Sequence, residues 1–273
     1  MTAAALSAGP DLEAIPGIGL DQLVAEAALL TRVDRKYVVP AAALPDLVAD
    51  FASLEPRIHV LEIGQRKQHR YGSTYFDTPD LDAYFGAARR RRHRFKVRTR
   101  EYVDTDARFT EVKTSGRRGA TVKTRTPRLL GAAVLTDDDA GFVRTELDRT
   151  GHAGIDVSAL VPVLRTSYAR STLWLPSCAA RVTIDTDLTW SLAWTDRATR
   201  VPRLAVVETK CASAATGVDR VLWRRGHRPS RISKYGAGMA LLLEDLPSHR
   251  WRRVLDTHLR PHATTHPLLG AIS

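Results

Sequence analysis

Residues 94–100 read Arg-Phe-Lys-Val-Arg-Thr-Arg, an unbroken alternation of cations with apolar or β-branched side chains. Successive side chains of a β-strand point to opposite faces, whereas a helix would scatter the same cations round its circumference. The run is therefore predicted to lie in a strand over 93–102, with Arg94, Lys96, Arg98 and Arg100 on one face and Phe95, Val97 and Thr99 on the other. Milder versions recur. Arg32, Asp34 and Lys36 share a face, as do Glu111 and Lys113, Lys123 and Arg125, and Glu208 and Lys210 behind apolar Val206 and Val207. Arg181, Thr183 and Asp185 face one way, Val182 and Ile184 the other. For any one strand, a charged face in water is a sufficient explanation. Across several strands the excess of one sign matters. Close like charges repel by about 1 kcal/mol in water and several times that in a half-buried groove. Turned inward, such faces require an anion, and an antiparallel sheet closed into a barrel has a polar interior for one.

The rest of the chain fits a sheet of this kind. Further strands are predicted over 32–39, 57–63, 70–77, 109–114, 120–126, 163–175, 180–194 and 204–210. Helices are predicted over 21–31, 41–54, 81–88, 137–149, 218–223 and 236–245. Strands in hairpin succession with few helices between them indicate an α+β chain on an antiparallel sheet, not a parallel α/β fold. Residues 1–19 read as a flexible leader, 20–246 as one domain, and 247–273 as a basic, histidine-containing tail.

The chain has 273 residues and a formal net charge of +11, which favours polyanionic partners without choosing among them. Of its 41 basic residues only seven are lysine: Lys36, Lys67, Lys96, Lys113, Lys123, Lys210 and Lys234. All but Lys67 fall in or beside predicted strands or junctions. Ammonium is a compact point charge and guanidinium a planar fork, so a site that needs both would keep both. The two cysteines form no metal or disulfide pattern. The N-terminus lacks the character of a signal peptide, and no apolar run approaches the ~20 residues of a membrane span. A cytoplasmic protein without a membrane anchor is the expectation.

The ordered motifs resemble the catalytic core of the vacuolar transporter chaperone (VTC) polyphosphate polymerases, triphosphate tunnel metalloenzymes related to CYTH-type triphosphatases. These motifs are Arg32-x-Asp-x-Lys-Tyr37; Tyr75-Phe-Asp-Thr78; Arg94-x-Lys-x-Arg-x-Arg-x-Tyr102; Glu111-Val-Lys113; Lys123-x-Arg125; Arg165-x-x-Tyr-x-Arg170; Arg181-Val-Thr-Ile-Asp185; Glu208-Thr-Lys210; and Ser233-Lys-Tyr235. The resemblance covers about residues 20–245 and implies an eight-stranded antiparallel β-barrel tunnel decorated with helices. It implies that Lys36, Arg98, Arg100, Lys113, Lys123, Arg165, Arg181 and Lys234 hold a triphosphate or growing chain. Arg94, Lys96, Arg125, Arg170 and Lys210 join them as substrate-binding candidates. It also implies that Glu208 binds a divalent metal, Mn²⁺ or Mg²⁺, with Glu111 and Asp185 as weaker candidates. The expected partners are ATP, pyrophosphate or triphosphate, and polyphosphate. The expected reaction passes the γ-phosphate of ATP to a phosphate chain; triphosphate hydrolysis and binding without catalysis are the alternatives. The first strand departs from the triphosphatase signature Glu-x-Glu-x-Lys, carrying Arg32 and Asp34 before Lys36, which favours the polymerase-like branch. No SPX-type regulatory domain is recognisable.

Other signals point elsewhere only weakly. Ile15-Pro-Gly-Ile-Gly19 resembles a helix-hairpin-helix turn but has no adequate helix before it. Arg89–Arg92 lacks the interleaved aromatics of a base-stacking surface, so nucleic acid is not the expected partner and a tunnel mouth or solvated turn is. His258, His262 and His266 have helical spacing, but Pro261 and Pro267 argue for a mobile tail. Gly236-Ala-Gly238 opens a helix whose N-terminus could receive phosphate. There is no Walker A sequence, zinc-type cluster or serine-nucleophile motif.

Overall fold

The computed structural model describes residues 10–26, 33–115, 121–129, 134–212 and 214–267. In chain order the elements are β1 (Gly17–Ile18), α1 (Leu20–Glu26), β2 (Val33–Pro40), α2 (Leu44–Ala52), β3 (His59–Leu61), β4 (His69–Asp77), α3 (Asp82–Ala88), β5 (Arg94–Tyr102), β6 (Ala107–Ser115), β7 (Thr121–Pro127), α4 (Asp137–Arg149), β8 (Val161–Leu175), β9 (Ala180–Leu192), β10 (Arg197–Arg200), β11 (Leu204–Cys211), α5 (Gly217–Arg224), α6 (Lys234–Leu242) and β12 (Thr264–Pro267). Arg32, residues 116–119 and Ala120 of the strand predicted over 120–126 lie outside the described residues, as do 1–9 of the leader, 27–31 of the first predicted helix and 268–273 of the tail.

Eight strands run as an antiparallel path β2-β11-β9-β8-β4-β5-β6-β7. The path curls: residues of its opening strand β2 and of β6 and β7 at its far end line one cavity. No pairing joins β2 to β7 among the described residues, so the tunnel wall is open along that seam.

The outer face carries helices, and two are fastened by the same device. The Thr136 hydroxyl caps α4 and the Asp139 carboxylate closes a capping box. Asp139 also accepts from Thr110 of β6 and pairs with Arg128 at 3.2 Å. At α5, Thr216 and Asp219 form the second box, and Asp219 accepts from Tyr37 of β2 at 2.6 Å and Thr209 of β11 at 2.8 Å. One buried carboxylate thus starts a helix and pins it to the sheet. Under α2 and α5 the outward residues Tyr37, Val39, Val182, Ile184 and Val207 form a core with Leu44, Phe51 and Leu222.

Helix α6 occupies one end of the inner face. Tyr235 stacks on Tyr75, its ring centroid 5.2 Å away, and its hydroxyl donates to Asp77. Asp77 also accepts the amides of Thr78, Ala83 and Tyr84 at the start of α3, so one residue of the Tyr75–Thr78 motif ties β4, α3 and α6 together. The glycines of α6 serve packing. A Cβ on Gly236 would drive into Trp251 and one on Gly238 into Trp190, which leaves no role for them as a phosphate cradle. The leader and tail join the fold too. Leu12, Ile15 and Ile18 are buried, and β1 pairs in parallel with β3. Residues 252–262 are helical through a π turn at Leu255–Leu259, bury Val254, Leu255 and Leu259, and lead into β12 on β10. Pro261 sits at the start of the last turn, where a missing amide is tolerated, so it does not break the helix as the sequence suggested.

Candidate active site: a cation-lined tunnel

Cross-strand register brings the predicted cations to one face. Lys36 of β2 is opposite Glu208 of β11, and Asp34 opposite Lys210. Lys210 is in turn opposite Arg181 of β9. Asp185 lies across from Arg170 of β8. On the other wall Lys96 faces Lys113, Arg98 faces Glu111, Glu111 faces Arg125, and Lys113 faces Lys123. Residues directly opposite in an antiparallel pair share a face, so this set lines the inside of the curl.

Each of three carboxylates is held between two cations. Glu208 accepts from Lys36 at 2.5 Å and pairs with Lys210 at 2.8 Å. Glu111 accepts from Arg98 at 2.7 Å and Lys123 at 2.9 Å. Asp185 takes both prongs of Arg170, at 2.6 and 2.8 Å, and also Lys234 from the first turn of α6. Burial by itself would raise all three carboxyl pKa values, but the neighbouring cations outweigh it and hold each well below the usual range.

Cations still outnumber carboxylates, and several lack an acidic partner. Lys96 donates to Ser233 at 2.9 Å. Its surroundings are otherwise cationic. Burial, reinforced by Lys113, Arg98, Arg250 and Lys36, pulls its pKa down to about 7. Burial lowers Lys123 and Lys210 to about 8 despite their acidic neighbours, and lowers Lys113 as well. Arg100 Nε, Ser73 Oγ and Thr166 Oγ1 are cross-strand neighbours on β5, β4 and β8, and all three are buried without a hydrogen-bond partner. The Tyr168 hydroxyl is likewise unpartnered, with Lys234 4.3 Å above its ring.

The mouth is a cavity of about 330 Å³ lined by Asp34, Lys36, Arg94, Lys96, Lys113, Arg231 and Arg250, among others. Sequence reasoning missed Arg231 and Arg250 because they come from the loop before α6 and from the tail, where no periodicity marks a face. Arg250 is fixed by donating to the Ala87 carbonyl at 2.5 Å. Arg94 donates to the Arg91 carbonyl at 2.8 Å at the rim. Arg89, Arg90, Arg91 and Arg92 form an exposed turn beside it. Arg125 is exposed on β7 and lies over the Phe109 ring, 4.5 Å from its centroid.

Arg165 is not brought into the tunnel. It pairs with Thr74 and so faces outward, opposite to Arg170, Tyr168 and Thr166. The signal was available, since an odd separation of five residues from Arg170 reverses the face in a continuous strand.

The acidic residues differ in fitness to hold a divalent ion. Among the described residues no cluster of three or more His, Cys, Asp or Glu side chains is placed to hold a metal. Glu111 and Asp185 are 2% and 1% exposed, with both oxygens held by cations that include a guanidinium. Glu208 is 15% exposed and pairs only with flexible lysines. Mg²⁺ is commonly held by one or two carboxylates together with substrate phosphates, a role that Glu208 fits and the other two do not.

A curled antiparallel sheet whose inner face is lined with cations defines an anion-binding tunnel of the triphosphate-tunnel type. The VTC domain family matches residues 31–243, and the chain belongs to that family. Solved structures with a similar course include a candidate adenylate cyclase from Bacillus halodurans, 13% identical over 74% of this chain and 94% of that one, TM-score 0.47. Another is an adenylyl cyclase candidate from Hippeastrum with a dominant triphosphatase activity, 14% identical over 77% and 96%, TM-score 0.44. The PH1819 protein of Pyrococcus horikoshii is 12% identical over 78% and 100%, TM-score 0.41. No curated protein matches the chain. No helix among the described residues is long and apolar enough to cross a membrane.

Proposed function

We propose that the chain transfers the γ-phosphoryl group of ATP to the end of a polyphosphate chain lying in the tunnel. The observation that carries this reading is the surplus of inward cations: even with Glu111, Asp185 and Glu208 each shared by two of them, Lys96 and Arg100 have no carboxylate of their own, and Lys113 feels only the pull of Asp34 and Glu208 across the cavity. An extended polyanion supplies what such a face lacks, at every position along it. Phosphoryl transfer needs positioning and charge neutralisation more than a covalent nucleophile. Arg98, Arg100 and Arg170 are suited to fork equatorial oxygens, and Lys36, Lys113, Lys123 and Lys234 to supply mobile point charge. Anion oxygens would compete for Lys36 and Lys210, and Glu208 is the residue that would then hold Mn²⁺ or Mg²⁺. A bound divalent ion would offset charge on the leaving diphosphate. The carboxylate-poor start of β2, where Asp34 stands opposite Lys210, supports chain growth over simple hydrolysis.

The test is a ³¹P NMR time course of the full chain with ATP, Mn²⁺ and a pyrophosphate primer, alongside Glu208→Gln. Growth of the internal-phosphate signal, lost in the variant, is the expected result. Orthophosphate alone would replace the reading with triphosphatase activity, and unchanged ATP would reduce it to binding.

A further inference from the structure

The reverse side of the same strands carries a second concave, basic feature. A groove of about 280 Å³ has a floor of Gly72, Thr74 and Thr99 and walls that include Glu101, Arg108 and Arg165. Register confirms that it opens outward: Gly72 faces Glu101, Thr74 faces both Thr99 and Arg165, and Glu101 faces Arg108. The tunnel residues Tyr71, Ser73, Tyr75, Arg98 and Arg100 alternate to the other side of β4 and β5; Ser73, Arg100 and Thr166 also border the groove, so the two cavities lie back to back across these strands.

The charges of the groove are unevenly satisfied. Arg128, also in its lining, pairs with the Asp139 carboxylate behind it at 3.2 Å. Arg108 pairs with Glu101 at 2.5 Å and with Asp106 at 3.6 Å, partners whose side chains are 42% and 85% exposed. Arg165 is half-buried, and among the described residues its guanidinium has no hydrogen-bond or ion-pair partner. A guanidinium beside two others, over a floor of threonines and a glycine, offers forked donors and room for a tetrahedral oxyanion. The small floor matters. A Cβ on Gly72 would rest in ordinary van der Waals contact with Glu101 Oε2, 3.6 Å away, so only a larger side chain would take up the space of the groove.

We infer that this outer groove is a second anion site, separate from the tunnel, that takes a single phosphate group, either free or as a monoester, with Arg165 as its principal ligand. It lies on an outer face and not inside the curl, which suits it to sensing a phosphate compound from behind the strands that carry Arg98, Arg100 and Arg170.

The test labels arginine side chains with ¹⁵N in the full chain and follows each Nε–Hε resonance during titration with orthophosphate and, separately, with glycerol 3-phosphate. Arg165, Arg108 and Arg128 are expected to shift with one common Kd, different from that of Arg98 and Arg170 in the tunnel. In Arg165→Gln the Arg108 and Arg128 shifts should require about tenfold more ligand or greater, as the loss of one charged hydrogen bond predicts. Thr74→Val, which keeps size, should weaken the same curve with the tunnel curve unchanged. Tighter binding of the ester identifies a monoester site; equal binding identifies free phosphate. An Arg165 resonance that stays still up to about 10 mM ligand, where affinity has no useful magnitude, overturns the inference. So do Arg108 and Arg128 curves that are the same in both variants as in the parent chain.

Discussion

The inner and outer faces of the sheet are built from the same strands and handle charge in opposite ways. Outside, buried acids are satisfied mainly by hydrogen bonds that also organise helices, as Asp139 and Asp219 do for α4 and α5. Ion pairs such as Glu101–Arg108 lie at the water. Inside, carboxylates are bracketed by two cations each, and further cations crowd together without an acid. The lysines show the contrast most plainly. Lys36, Lys96, Lys113, Lys123, Lys210 and Lys234 all belong to the inner set. Lys67, the exception, ties the N-terminal segment down through the carbonyls of Leu12 and Ile15 at 3.2 and 3.1 Å. A fold seeking only stability would not collect desolvated amines in one channel, so the inner face is organised for a ligand.

The sharpest way to break this contrast is Asp185→Ala. It leaves Arg170 charged and buried beside Lys234, and losing one member of a buried ionic group costs about 3–5 kcal/mol. Arg170 cannot shed its charge. Denaturant unfolding should show the loss in the free protein and a partial recovery with tripolyphosphate, whose oxygens replace the carboxylate. Equal loss with and without the anion would mean that Asp185 serves the fold alone.

Gly238→Ala probes the apolar end of the same inner face. Its methyl group would collide with Trp190, whose indole donates to the Lys234 carbonyl at 2.9 Å. Overpacking of this kind costs about 1–3 kcal/mol, read as a lower denaturation midpoint. Because Trp190 holds the first turn of α6, tripolyphosphate affinity should fall as well.

The third test uses protons. Lys96 titrates at about 7 in the folded chain against an ordinary value of 10.5. Between those pH values the unfolded chain binds more protons, so this group makes stability rise with pH across that window. Lys123 and Lys210, at about 8, act with the same sign. A bound polyanion favours the charged amine, so binding near pH 8 should take up protons. Calorimetric titration with tripolyphosphate in two buffers of different ionisation enthalpy measures the uptake, and Lys96→Met should reduce it. Identical heats in both buffers would contradict the assignment.

The smallest effect belongs outside. Glu101→Ala removes the nearer acidic partner of Arg108 at a solvated site, where an ion pair contributes about 0–1 kcal/mol. Thermal melts should barely move. A loss as large as that of Asp185→Ala would erase the distinction between the two faces.

Much of this was legible before folding. The alternation in residues 94–100, 181–185 and 208–210 stated which side chains travel together, because strand geometry reverses direction at every residue whatever surrounds it. The acidic first turn after Thr136 announced α4 with the bounds it has, since capping is settled within one helical turn. Even the outward turn of Arg165 was implied by its odd spacing from Arg170. Tertiary structure decided the rest. Whether a charged face looks into a curl or into water depends on how distant strands close, and register between β2, β11 and β9 set Glu208 and Asp185 beside the cations that now hold them. Arg231 and Arg250 reach the mouth from a loop and the tail, and the buried tail helix rests on contacts far away in the chain. The sequence by itself determined which charges share a face, because that periodicity is local. Only the tertiary structure decided which face encloses a site and which carboxylates remain free to serve it, because desolvation and ion pairing arise between residues far apart in the chain.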